Sequence, residues 1–284
     1  MVASISENPR YYYLGLVPSK RDDRDFSIED HPAFAAMRAE MAAPLPVTAS
    51  LRAITGDVMD QKNIGSCTAH SLGILARALA VKQGFSPNFC IDRLDAYWCA
   101  RNYEGTIYQD AGASMSDIMK VFVKIGVASE VLNPYTNILS KFTKKPTTKV
   151  LSDAKTRLAT AYARVDQPGM TGSQNFDAVC NLVAAGYVPI IGTTVYPNIF
   201  QVKADGKIGA YAKGMTPAGG HALPVIGYDR TPGKESVTVQ NSWGPSWGNK
   251  GLGYLPKSYF LGGYYGNKHP DVSDIQVATA AKWK

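Results

Sequence analysis

The stretch QKNIGSCTAHS, residues 61–71, places Cys67 directly after Gly65 and Ser66, with Gln61 six positions upstream. A helical pattern follows at once. Ala69, Leu72, Leu75, Ala76, Leu79 and Ala80 recur at i, i+3 and i+4, and Gly84 supplies the stop, so a core helix is predicted from Cys67 to Gln83. A thiol is a useful nucleophile only as thiolate, and the amides and dipole at a helix N-terminus favour an anion there. By itself such a cysteine reads more simply as a small buried hydrophobe.

Two distant segments change that balance. GGHALPVIGYD, residues 219–229, sets His221 behind a glycine pair and ahead of an apolar strand. VQNSWGPSWGNKG, residues 239–251, sets Asn241 at the end of the next strand, with Trp243 two residues on. A cysteine nucleophile needs a base, and the base needs a partner that holds its tautomer. Gln61 is close enough in the chain to return its amide toward the thiol and form an oxyanion hole with the Cys67 N–H.

These segments together resemble the papain family of cysteine peptidases. The match runs through Gln61 and the Gly-Ser-Cys step, the His-Ala strand, and Asn241, Ser242, Trp243, Gly244, Trp247 and Gly248. LPVTASLR (45–52) resembles the start of the mature enzymes, and GASMSDIMKVFVKIGV (112–127), with NPY after it, resembles the segment that carries the cleft glycine. Ile64 and Thr68 stand where many members have cysteine and tryptophan, and His70 where they have phenylalanine, which is similar to the bacterial branch.

The resemblance implies an α+β, papain-like fold: a helical left lobe and a β-barrel-like right lobe with the active-site cleft between them. It implies an N-terminal extension over 1–44, a mainly helical lobe over 45–165 carrying the nucleophile, and a mainly β lobe over 166–284 carrying the base and its asparagine. Cys67, His221, Asn241 and Gln61 are the expected catalytic residues. Gly112, Gly220, Ala222, Trp243 and Trp247 are the expected substrate-binding residues, with Gly112 pairing substrate backbone and Trp243 covering the His221–Asn241 pair. The implied activity is peptide-bond hydrolysis through a thioester, by a monomer acting on proteins or peptides without metal or organic cofactor. The four histidines, His31, His70, His221 and His269, include no adjacent pair, so no occluding His-His loop is encoded and endopeptidase action is favoured. The alternatives are a catalytically inactive papain-fold binding protein and a cysteine acyltransferase; Asn241 argues against the latter, whose base is usually oriented by aspartate.

The rest of the sequence bounds the answer. With 284 residues and 45% hydrophobic content the chain can bury a sizeable core. No apolar run reaches the ~18 residues of a membrane span, and the N-terminus is too polar and charged early on to read as a signal peptide. Export is nevertheless the expectation, with the signal peptide absent from this chain. The net charge of +7 is scattered. Its densest run, KFTKKPTTKVLSDAKTR (141–157), has one aromatic and no nucleic-acid motif, so it reads as a solvated face. The cysteines Cys67, Cys90, Cys99 and Cys180 form no metal spacing. Cys90 and Cys99 read as two positions of one helix facing opposite sides; buried free thiols are expected, with one disulfide to Cys180 left open.

Helices are also predicted within 87–105, 114–126 and 151–165, and short strands after about 165. In HPAFAAMRAEMAA (31–43), Phe34, Met37 and Met41 form a short amphipathic helix that needs a partner surface. Two roles are open for residues 1–44: a prosegment that blocks the cleft and is released by cleavage near Pro44 to Pro46, or a strap on the back of the body. His70, one turn into the helix, reads as a wall residue rather than a second base.

Overall fold

A computed structural model describes residues 13–21, 26–210, 214–262, 270–280 and 282–283. His269 lies outside the described residues. The chain opens with β1 (Leu16–Val17), α1 (Ala35–Met41), β2 (Thr48–Ser50) and α2 (Arg52–Thr55). The helical half follows as α3 (Cys67–Lys82), α4 (Arg93–Glu104), β3 (Ala113–Ser114), α5 (Met115–Lys124), α6 (Leu139–Phe142) and α7 (Thr148–Ala154). The second half runs β4 (Ala161–Arg164), α8 (Gly172–Ala184), β5 (Ile190–Val195), α9 (Pro197–Phe200), β6 (Gly219–Asp229), β7 (Ser236–Gln240), β8 (Leu252–Pro256), α10 (Ser258–Leu261) and β9 (Val272–Thr279).

The helix at Cys67 is buried on every face from Cys67 to Ala80, as a central helix must be when it has no polar stripe. Asp92 caps α4 by accepting from the Asp95 N–H, and Gly105 closes it in the left-handed conformation, φ 72°. Cys90 therefore precedes the helix that carries Cys99, instead of sharing it. All four cysteines are free. The predicted helix over 151–165 is half correct: α7 stops at Ala154, and β4 begins at Ala161 because Tyr162, Ala163 and Arg164 pair antiparallel with β9. Tertiary pairing overrides a weak helical pattern there. Helix α8 was not foreseen, although Thr171 and Gln174 form a reciprocal capping box at its start.

The large sheet has seven strands in the order β4-β9-β5-β6-β7-β8, with β2 added to β6. This path is open. The helical core gathers α3, α4 and α5, and Trp283 returns to it, packing edge-on against Phe85 and Phe122. The second core fills the space between the sheet and α8, and it includes Phe34 and Met37. The amphipathic stripe of α1 is thus satisfied on the back of the sheet lobe, against α8, and not in the cleft.

Candidate active site

Cys67 is the first residue of α3, after Ser66 at the N-cap. The backbone amides of Ala222, Gly15, Thr68 and Cys67 itself face its sulfur and favour the anion, but burial outweighs them and pushes the thiol up to about 11. A thiol this deep is protonated at neutral pH.

His221 lies on β6 opposite Thr193, and Asn241 follows β7, the next strand of the sheet. Asn241 Oδ1 accepts the Ser242 N–H at 2.7 Å, which identifies that atom as oxygen, since an amide nitrogen would oppose the donor. The same Oδ1 lies 2.9 Å from His221 Nε2, so the imidazole proton sits on Nε2 and Nδ1 carries the free lone pair. His221 Nδ1 is buried without a hydrogen-bond partner among the described residues. Trp243 stacks on the imidazole, ring centres 4.7 Å apart, and shields it from water. Burial pulls the His221 pKa down to about 4, against the Asn241 bond that raises it.

Gln61 is fully buried. Its Oε1 accepts from Ser242 Oγ at 2.5 Å, and its Nε2 donates to Ile64 O at 2.9 Å and to Tyr13 O at 3.0 Å. The last contact belongs to a segment that threads the site. Gly15 O accepts the Ala113 N–H at 2.9 Å, and Leu16–Val17 pair in parallel with Ala113–Ser114. The fit is so close that a Cβ on Gly15 would lie 1.8 Å from Gly65 O, and one on Gly112 would lie 2.3 Å from Gly15 O. Gly112, at φ 78°, is glycine for both its conformation and this approach.

The structure brings most of the expected residues together. Gly220 borders Leu16, Ala222 turns its amide to Cys67, and Trp243 covers the His221 ring. Beside Leu16, a cavity of about 510 Å³ is lined by Gly192, Thr193, Gly219, Gly220 and Ser273. Trp247 is not on the cleft wall: it lies in the core, edge-on to Trp243, with its indole N–H donated to Ile199 O at 2.8 Å. Large aromatics in this motif satisfy the lobe as well as the site.

Sequence reading missed the residues that brace the loop before Cys67. Asp110 accepts the Gly65 N–H with both carboxylate oxygens at 3.0 Å and takes the Tyr97 hydroxyl at 2.6 Å, and that hydroxyl accepts the Gly112 N–H at 3.0 Å. Nothing in local periodicity marks an aspartate for a partner 45 residues away. No group of three or more His, Cys, Asp and Glu suited to a metal ion occurs among the described residues.

The model of the papain family cysteine proteases matches residues 45–259. The chain is 28% identical over 204 residues to an uncharacterized peptidase C1-like protein of Acanthamoeba polyphaga mimivirus, covering 71% of this chain and 64% of that one. It is 26% identical over 196 residues to cysteine proteinase 1 of Entamoeba histolytica, covering 68% and 58%. The chain thus spans less than two thirds of the length of these curated relatives. Among solved structures, xylellain, a cysteine protease from Xylella fastidiosa, superposes with a TM-score of 0.80 at 27% identity, covering 98% of this chain and 100% of that one. The proform of the ragweed allergen Amb a 11 shares the fold at a TM-score of 0.63 and 21% identity, covering 84% and 67%.

Proposed function

The chain belongs to the papain family of cysteine proteases, and from that premise we propose that it is an endopeptidase held latent by its own residues 13–17. The observation that carries this reading is the Tyr13 carbonyl on Gln61 Nε2 at 3.0 Å: the cleft already holds a peptide by the contacts an acyl substrate needs. In catalysis His221 Nδ1 takes the Cys67 proton, and the thiolate attacks the substrate carbonyl carbon. The resulting oxyanion is stabilised by Gln61 Nε2 and the Cys67 N–H. The imidazolium then protonates the leaving amine, and His221 activates water to hydrolyse the thioester. Asn241 keeps Nδ1 aimed at the thiol throughout.

The bound segment occupies the cleft in place of substrate. The Cys67 sulfur is engaged by the Gly15 N–H, so the segment holds the thiol by an amide hydrogen bond. The two roles left open for residues 1–44 are divided along the chain in this reading: residues 13–17 block, and 26–41 brace. Cleavage near Pro44 to Pro46 would be a poor release step, because Phe34 and Met37 are buried in the core of the sheet lobe and the Pro46 carbonyl accepts the Tyr228 hydroxyl at 3.0 Å. Opening the chain before Ile28 would free the blocking part alone.

Export, bacterial origin and a monomeric state belong to the same reading; no helix among the described residues is long and apolar enough to cross a membrane. The test is peptide-library cleavage by the full chain, by Gly15→Ala and by Cys67→Ala. Internal cleavage by Gly15→Ala and none by Cys67→Ala supports the reading. Cleavage that survives Cys67→Ala, or none from a folded Gly15→Ala protein, overturns it.

A further inference from the structure

We propose that His70 is a positioning residue for the reaction: it anchors the Ser66–Cys67 peptide so that the Cys67 N–H stays aimed at the oxyanion. The inference rests on the assignment of Cys67 and Gln61 given above.

His70 lies one turn into α3, fully buried, and its Nε2 is 2.8 Å from Arg93 Nη1. A guanidinium can only donate, so Nε2 accepts and the ring proton is on Nδ1. Burial, and the Arg93 charge after it, hold the pKa well below the ordinary range, so the ring is neutral. Nδ1–H therefore donates to the Ser66 carbonyl oxygen, 3.0 Å away. That carbonyl also accepts the His70 backbone N–H at 3.0 Å.

The Ser66 carbonyl and the Cys67 N–H are two ends of one planar trans peptide, so fixing the oxygen fixes the direction of the hydrogen. A second donor on the oxygen also polarises the peptide and strengthens the opposite N–H as a donor. The anchor is itself held. Arg93 pairs with Glu130 Oε1 at 2.5 Å and lies over the Tyr135 ring, 4.4 Å from its centre. The Tyr135 hydroxyl donates to the Gln61 carbonyl at 3.0 Å and lies 2.8 Å from Ser66 Oγ. Both oxyanion donors, Gln61 and the Cys67 amide, are thus tied to one buried cluster behind the helix. The hydrogen bonds of the His70 ring go to Ser66 and Arg93, and with both ring nitrogens engaged it cannot act as a base.

The test uses the full chain and compares two reagents. A peptide aldehyde adds to Cys67: the S–C bond forms, the carbonyl π bond opens, and the oxygen settles among the oxyanion donors while the thiol proton is taken up by His221 or that oxygen. Iodoacetamide alkylates the same sulfur with loss of iodide and needs no oxyanion donor. Both wait for residues 13–17 to leave, so the ratio of aldehyde affinity to alkylation rate cancels that step. His70→Phe should lower this ratio by about 10-fold to 10²-fold. His70→Asn, whose amide can donate from the Nδ1 position, should restore it. His70→Gln, which reaches Arg93 but withdraws the donor from Ser66, should behave like His70→Phe and decides the matter if the phenylalanine variant does not fold. A wild-type ratio in folded His70→Phe or His70→Gln overturns the inference and leaves the peptidase assignment intact. A wild-type protein that alkylates but never binds the aldehyde overturns both.

Discussion

The carbonyl oxygen of Tyr13 lies 3.0 Å from Nε2 of Gln61, so a peptide group of the chain itself occupies a donor that hydrolysis would use. On the function proposed above, substrate and the N-terminal segment compete for the same hydrogen bond.

Gly15 is the weak point of the block. An alanine Cβ there would lie 1.8 Å from Gly65 O, a contact no rotamer relieves. Gly15→Ala in the full chain should displace residues 13–17 and raise alkylation of Cys67 at neutral pH by at least about tenfold, the effect of about 1.4 kcal/mol of lost contact. Mass spectrometry of the labelled protein checks this; unchanged labelling would mean the segment does not govern access.

Gln61→Ala should move two readouts in opposite directions. It removes an anchor of the blocking segment, so thiol alkylation should rise. It also removes a transition-state hydrogen bond, so kcat for peptide hydrolysis should fall by about 10² to 10³ with little change in KM. A joint fall in both rates would assign Gln61 to folding rather than to the oxyanion.

Closure of the cleft should depend on pH through Cys67 and His221, because residues 13–17 lie against Gly65, Gly219 and Gly220 beside them and their departure admits water. Burial raises the thiol from 9.0 to about 11 against the Gly15 N–H, which favours the anion, so the closed form on balance favours neutral sulfur and loses that preference as pH climbs from 9.0 to about 11. Burial lowers His221 from 6.5 to about 4, so the closed form favours neutral imidazole and loses that preference as pH falls from 6.5 to about 4. Closure should be tightest between those windows. Hydrogen exchange of the Ala113 amide, which is bonded to Gly15 O, reads this directly as a protection factor. Protection that is flat from pH 4 to 10 would break the linkage.

Asp95 offers a stability test away from the site. Burial and the neighbouring Asp92 carboxyl push Asp95 up, so this pair retains a proton well above the usual carboxylate range. The protonated form is native-like, and its contribution is lost as pH rises from about 4 toward about 8. Asp95→Asn imitates the protonated acid. It should stabilise the fold by about 1–3 kcal/mol at pH 8 and make no difference at pH 4, as followed by thermal unfolding.

What the amino-acid sequence determined by itself was the family. The motifs that hold Gln61, Cys67, His221 and Asn241 were legible because the local structure of each is encoded nearby: a helix start, an apolar strand, a strand end before a tryptophan turn. The helix at Cys67 was legible for the same reason, since its apolar periodicity and its glycine stop are both local. Tertiary structure decided which surface each apolar stripe would meet. Periodicity marked Phe34 and Met37 as a buried face but could not say that α8, and not the cleft, would cover it, because a stripe records hydrophobicity and not its partner. The glycine that lets residues 13–17 enter the cleft, Gly15, carries no local signal at all; its meaning comes from the Gly65 carbonyl against which it lies. His70 was legible as a wall residue. Its bond to the Ser66 carbonyl, and the tautomer that permits it, came only with Arg93, because a ring nitrogen takes its role from the group that folding brings to the other side.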